Sequence, residues 1–238
     1  MGNRAEIYVR NSSAMWSALD PGHRERSWTR IEHPGTTRLI LSAPTDLSGF
    51  AELSPTKTVR IEDVFDDRDR PTPFAPGADL RRMPVMNRRP GSLPRSGSVI
   101  EVRDEDTLAD AERIIVDGFP LPQHQPWVRG TALPPRVLSL AGWRVWLAHD
   151  DGVPGAAAFT YDDGAASGVY WLATLPGHRS KGLGRAVLSA AIAARPGHEF
   201  TLVATEAGRP LYESLGFETV VTTTWHLRRP LTAHQAGG

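Results

Sequence analysis

The stretch that most constrains this chain is residues 174–185, Thr-Leu-Pro-Gly-His-Arg-Ser-Lys-Gly-Leu-Gly-Arg. It follows an apolar run over 168–173, Gly-Val-Tyr-Trp-Leu-Ala, and precedes a helical pattern that opens near Gly184. A strand, a short Gly-rich turn and a helix in this order leave backbone N–H groups without intrahelical partners. The helix dipole adds partial positive charge at the same place. Gly182 and Gly184 carry no Cβ, so a ligand can come close to the backbone. Arg179, Lys181 and Arg185 add formal charge, and Lys57 is the only other lysine in the chain. Such a turn suits a diphosphate. It lacks the spacing of a P-loop and the third Gly of a dinucleotide fingerprint, which excludes those two nucleotide-binding motifs.

Composition narrows the rest. A chain of 238 residues forms one large domain or two small ones. Hydrophobic residues at 40% and charged residues at 23% are those of a soluble globular protein. The net charge is zero, so no broad field draws nucleic acid or an anionic membrane. No apolar run reaches the roughly 20 residues of a membrane span, and the first residues hold no apolar core of a signal peptide. A cytoplasmic location is expected. There is no cysteine, which excludes disulfides, thiolate metal sites and a cysteinyl acyl-enzyme.

In chain order, Asn11 to Leu19 reads as a short helix capped by Asn11 or Ser12 and ended by Pro21-Gly22. Residues 37–42 read as a strand, and residues 59–64 alternate weakly. Neither metal-ligand spacing nor a nucleotide turn occurs in this half, and His23 and His33 read as surface histidines. Residues 65–97 begin with the charge run 66–70 and continue with repeated Pro and Gly. They are expected to form a linker or irregular arm, without a helix or central strand, in which Met83, Val85 and Met86 could bury against a neighbour. From residue 98 the pattern is a strand, then a helix over 104–118. That helix has Leu108, Ala111 and Ile115 on its apolar face, Glu112 and Arg113 turned away from it, and Gly118 and Pro120 at its end. An irregular segment, 121–142, leads to a three-strand meander over 143–175. After the basic turn, Leu183, Val187, Leu188, Ala191 and Ile192 recur at helical spacing. A strand, a short helix over 208–215 and a β-rich end complete the chain.

The turn reads Arg179-Ser-Lys-Gly182-Leu-Gly184, matching Arg/Gln-x-x-Gly-x-Gly/Ala, with Pro176 upstream. Farther on, Leu211-Tyr212-Glu-Ser-Leu-Gly216-Phe217 matches Leu-Tyr-x-x-x-Gly-Phe. With these two motifs in order, the sequence over roughly 98–228 resembles the GNAT family of acetyl-CoA-dependent N-acetyltransferases. The resemblance implies an α/β fold with a mixed sheet and flanking helices. It implies a GNAT acetyltransferase domain over 98–238, preceded by an N-terminal region, 1–97, that could be a degenerate half-domain of the same fold. Such a region could complete the acceptor pocket or a homodimer interface.

It also implies acetyl-CoA as co-substrate, no metal, and direct attack by a small-molecule or peptide amine. Backbone groups of Leu172, Ala173 and Thr174 would meet the pantetheine. Residues Arg179, Ser180, Lys181, Gly182, Leu183, Gly184 and Arg185 would hold the diphosphate. Tyr212 would protonate the departing thiolate. Thr205 stands where the family often has an Asn against the pantetheine, and a hydroxyl replaces only one hydrogen bond of an amide. Glu101, Asp117, His124 and Glu206 are all open as general base, as is a water chain. His124 lies in the segment that often shapes the acceptor pocket, where Trp127, Tyr170 and Trp171 could line it. His178 would support the turn. The alternative is a catalytically silent acyl-CoA-binding sensor or interaction module.

Overall fold

The computed structural model describes residues 4–20, 22–65, 71–74, 78–95, 97–119 and 121–230. The charge run 66–70 and the helix-ending Pro21 and Pro120 lie outside them. The elements begin with α1 (Arg4–Leu19), β1 (Gly22–Arg24), β2 (Trp28–His33), β3 (Thr36–Leu41), β4 (Thr58–Asp63), β5 (Asp79–Arg88) and β6 (Ser98–Glu101). They continue with α2 (Glu105–Gly118), β7 (Trp143–Asp150), β8 (Val153–Asp162), β9 (Ala166–Thr174), α3 (Leu183–Ala193), β10 (Glu199–Val203), α4 (Arg209–Ser214) and β11 (Glu218–Arg228).

Two compact units share these elements, and they interleave along the chain. One holds the described residues up to Met86, Val203–Arg209 and the described residues from Thr219 on. The other holds Asn87–Leu202 and Pro210–Glu218. The last strand therefore goes with the first unit, although chain order places it at the end of the 98–238 segment.

In the first unit the strands run in the order β1, β2, β3, β4, β11, β5. β3 and β4 are parallel; β2 with β3 and β4 with β11 are antiparallel. Alternation along β3 and β4 sends Leu39, Leu41, Val59 and Ile61 into one core with Leu47, Phe50 and Phe74. Glu62 accepts from Tyr8 Oη of α1 at 2.8 Å and pairs with Arg38, whose guanidinium lies 3.9 Å over the Trp16 ring. α1 starts at Arg4, well before Asn11. Ala5, Tyr8 and Val9 extend its buried stripe by two turns, so Asn11 and Ser12 sit buried inside the helix and do not cap it.

The expected absence of a strand over 65–97 is corrected by β5, ten residues long, with Val85 and Met86 fully buried. Pro84 lacks an N–H, yet its carbonyl accepts from Ala204 N at 2.9 Å. Proline removes one donor of a strand and leaves the other pairing groups intact.

In the second unit the order is β10, β9, β8, β7, β6. β6 to β9 form an antiparallel meander, and α3 makes the crossover to β10, which runs parallel to β9. Every α3 position expected to be apolar is buried: Leu183, Val187, Leu188, Ala191 and Ile192. Small residues on β7 and β8, Ala148, Ala156 and Ala158, let α3 pack closely. The intervening positions face the other way, where Phe159 stacks between Trp143 at 4.6 Å and Tyr170 at 5.3 Å.

Candidate active site

β9 changes partners partway along. It pairs with β8 from Ser167 to Thr174, but with β10 only at Ala166, Ser167 and Gly168. Beyond Gly168 the two parallel strands part. A bulge sits just past this point: Ala157 faces Ala173 while Phe159 faces Tyr170, so β9 carries one extra residue. Trp171 takes it up at φ +50, a left-handed conformation that a bulky side chain rarely adopts. Leu175 N–H bonds to Gly155 O on the β8 side at 3.0 Å. By strand alternation, Thr174 and Leu172 turn their backbone groups toward the parted edge, with Ala173 buried between them. Arg179 Nε donates to Thr174 O at 3.3 Å. The end of α2 presses on the same place, for a Cβ on Gly118 would lie 3.2 Å from the Ala173 Cβ.

The basic turn follows as a short 3₁₀ turn, Pro176–His178, then Arg179, Ser180 at φ +62 and Lys181. Gly182, at φ +80, opens α3, and no side chain caps the helix. A Cβ on Gly182 would meet nothing within 4 Å, so this position borders open space. Gly184 differs: its bare side faces Leu211 Cδ2 at 3.4 Å and Thr174 Oγ1 at 3.5 Å. Leu183 is buried, whereas Arg179, Ser180, Lys181 and Arg185 are exposed. The cations are not all independent. Asp150, at the end of β7, accepts from Lys181 Nζ at 2.5 Å and lies 2.8 Å from His178 Nδ1. Lys181 first, then His178, holds the Asp150 carboxyl below the usual carboxylate range, and Asp150 holds the Lys181 ammonium up. Arg185 Nη2 donates to Ser214 Oγ at 2.7 Å, tying the start of α3 to α4.

Sequence reasoning missed two residues that build this turn. Asp150 reads as a plain turn residue after a strand. Gly155 reads as a strand start, yet a Cβ there would lie 2.7 Å from Leu183 Cδ1 and 2.8 Å from His178 Cγ. No local pattern announces either, because their partners lie 20 or more residues away.

Tyr212 is buried in α4, edge-on to Phe217 at 5.9 Å. Gly216, at φ +83, turns the chain so that Phe217 N reaches Tyr212 O at 3.1 Å. Burial pushes the Tyr212 phenol up to about 12. Thr205 is exposed, and its hydroxyl accepts from Gly208 N at 3.2 Å in the turn ahead of α4.

The base candidates separate by their partners. Glu101 pairs with Arg103 at 3.0 Å and Arg144 at 3.7 Å. Asp117 pairs with Arg113 at 3.5 Å and accepts from Gln125 Nε2 at 3.3 Å. Glu206 is exposed in the turn after β10. His124 stands with its ring 6.1 Å from that of Trp171, beside the bulge. Glu112 corrects the expectation that it turns away from the core. It is fully buried and accepts four hydrogen bonds from the segment that contains Trp127. Among the described residues no cluster of His, Asp and Glu is placed to hold a metal ion, and no helix is long and apolar enough to cross a membrane.

A bulged strand parting from its parallel neighbour, followed by a basic turn into a bare helix start, defines the class: the acyl-CoA N-acyltransferase fold. Comparison with known proteins agrees. Residues 141–219 match the model of the acetyltransferase (GNAT) domain. A GNAT-family protein from Novosphingobium aromaticivorans has 19% identity and a TM-score of 0.62, with 94% of this chain and 99% of that one covered. A GCN5-related N-acetyltransferase from Kribbella flavida has 17% identity and a TM-score of 0.61, with 99% of each chain covered. A tandem GNAT protein from the clavulanic acid biosynthesis pathway has 12% identity and a TM-score of 0.55, over 93% of this chain and 88% of that one. Curated protein sequences offer no match. The chain has the GNAT fold, and its residues 141–219 match the GNAT acetyltransferase domain. Acyl transfer from acyl-CoA is the reaction of that family.

Proposed function

We propose that this protein is an N-acetyltransferase that moves an acetyl group from acetyl-CoA to a primary amine by direct attack in a ternary complex. The observation that carries this reading is the parting of β9 from β10 next to the uncapped start of α3. In this reading residues 98–238 supply the catalytic machinery. The N-terminal region, 1–97, is a degenerate half-domain of the same fold. The likeness of the tandem GNAT protein over 93% of this chain supports that assignment.

Each residue then has a task. Backbone groups of Leu172 and Thr174 line the arm that carries the thioester, and Ala173 between them holds that stretch to β8. N–H groups from Arg179 to Arg185 hold the diphosphate: Gly182 gives open access, Arg179, Lys181 and Arg185 supply charge, and Ser180, Leu183 and Gly184 shape the turn. Thr205 offers one hydroxyl toward the pantetheine. Acetyl-CoA, as the co-substrate, brings the activated acetyl group.

The amine must be neutral to attack; a C–N bond forms, the C–S bond breaks, and the amine proton leaves to a base. His124 fits that base best by its place beside the bulge, directly or through water. Tyr212 donates to the sulfur and gives it a proton as it leaves. A phenol at about 12 stays protonated throughout the physiological range. Its transfer to a thiolate, ordinarily near 8.5, becomes downhill only where burial raises the sulfur above the phenol, a larger rise than the phenol itself has undergone.

That raised phenol is also the one feature favouring the alternative of a silent acyl-CoA-binding module. Release of free CoA decides between the two. Acetyl-CoA is incubated with a panel of primary amines from ethanolamine to phenethylamine and spermidine, and thiol is measured. Release with at least one amine is expected; saturable binding with no release across the panel would leave the binding module.

A further inference from the structure

Glu112 is a buried carboxylate with no counter-cation among its hydrogen-bond partners, and every partner comes from one loop. Its Oε1 accepts from Ala132 N at 2.7 Å and Leu133 N at 2.9 Å. Its Oε2 accepts from Gly130 N at 2.7 Å and Trp127 Nε1 at 3.2 Å. Four donors match the four acceptor positions of an ionised carboxylate. The loop has no ladder of its own, so without Glu112 three backbone N–H groups would need other partners in a part of the chain where Ala132 and Leu133 are buried. Two further ties lie on either side. Gln125 Nε2 donates to Val116 O near the end of α2 at 3.0 Å, and Arg129 pairs with Asp106 near its start at 2.8 Å. The segment is thus strapped along α2, and its leading end carries His124 to the ring of Trp171 at the β9 bulge.

We propose that Glu112 is a positioning residue for the acceptor: by strapping residues 127–133 to α2 it sets where Trp127 and His124 stand, and so which amines reach the bulge. This rests on the acetyltransferase reading given above. Glu112 itself touches neither co-substrate nor acceptor. The phosphate turn and α3 hang on Asp150, Gly155 and Ser214, none of which bonds to Glu112, so the strap acts on one substrate only.

The test is Glu112→Gln, nearly equal in size, which replaces one oxygen with an NH₂ group aimed at N–H donors. Amide exchange at Gly130, Ala132 and Leu133 is expected to speed up about tenfold or more, while exchange in α3 and β9 stays at the wild-type rate. With the best amine of the panel, KM for the amine is expected to rise about tenfold and kcat to change less than about threefold. Acetyl-CoA affinity is expected to hold within about twofold. Glu112→Asp keeps the charge and should recover part of the amine KM; it carries the same comparison if the Gln variant does not fold. Unchanged exchange at the three amides overturns the strap. Equal losses of amine and acetyl-CoA affinity overturn the acceptor role, since that pattern belongs to a general fold defect. If the wild type acetylates no amine, the acceptor role falls together with the acetyltransferase reading, whereas the exchange result still decides the strap.

Discussion

The helices α2 and α3 of the second unit begin in opposite ways. α2 closes its own N-terminus: Asp104 accepts from Asp106 N at 3.1 Å, Thr107 N at 2.9 Å and Thr107 Oγ1 at 2.8 Å, and Glu105 and Asp106 follow in the first turn. These bonds, the Thr107 N–H first, hold the Asp104 carboxyl below its ordinary range. α3 has Gly182 at the corresponding place, no side-chain cap, no acid in its first turn, and basic residues on both sides. Both helix starts carry the same partial positive charge. One satisfies it within the chain, and the other presents it to whatever anion arrives. The difference separates a helix start closed by its own chain from one left open, as the proposed cofactor site requires.

Making α3 resemble α2 should remove the ligand. For Gly182→Glu we expect acetyl-CoA affinity, measured by calorimetry, to fall about a thousandfold, through charge repulsion and strain at φ +80. Gly182→Ala adds the strain alone and should cost far less affinity; equal losses in the two variants would show that charge is irrelevant at this helix start. Tyr212→Phe should lower kcat about a hundredfold with acetyl-CoA affinity nearly unchanged. It has a stability signature as well. The folded state raises this phenol, so folding favours its protonated form. The resulting stabilisation is fully present below pH 10 and is lost as pH rises from 10 to about 12. The wild type should lose about 3 kcal/mol more than Tyr212→Phe across that window in denaturant titrations. Parallel curves would mean that the phenol is solvated.

Gly155→Val should push Leu183 and His178 outward and weaken acetyl-CoA binding about tenfold while leaving the fold intact. Lys181→Met should weaken binding only about threefold, because Asp150 already shares that charge. Asp104→Ala should lower Tm by about 2 °C and leave acetyl-CoA affinity untouched, as befits a helix start that no ligand uses. A loss of affinity in that variant would undo the contrast between the two helices.

Much of the second unit is legible in the amino-acid sequence. The meander declares itself through turn residues at Asp151-Gly152 and Asp163-Gly164. α3 declares itself through apolar spacing after two glycines, and α4 through the run from Leu211 to Phe217. The first unit is less legible. In sequence α1 reads seven residues short, because Asn11 and Ser12 look like caps when their burial is unknown. β5 reads as linker because Pro84 and its neighbouring prolines and glycines suggest irregular chain, and only its pairing within the sheet makes a strand of it.

What the amino-acid order determined by itself was the local chemistry: a basic Gly-rich turn between strand and helix, a tyrosine one helix later, a chain without cysteine. Spacing and backbone freedom act over a few residues, so they can be read directly. Tertiary structure alone decided where β9 leaves β10, that Trp171 absorbs the extra residue, that Asp150 and Gly155 shape the turn, and that Glu112 faces inward. Each of those depends on a partner a dozen or more residues away, and a carboxylate on a helix looks the same in sequence whether water or four N–H groups await it.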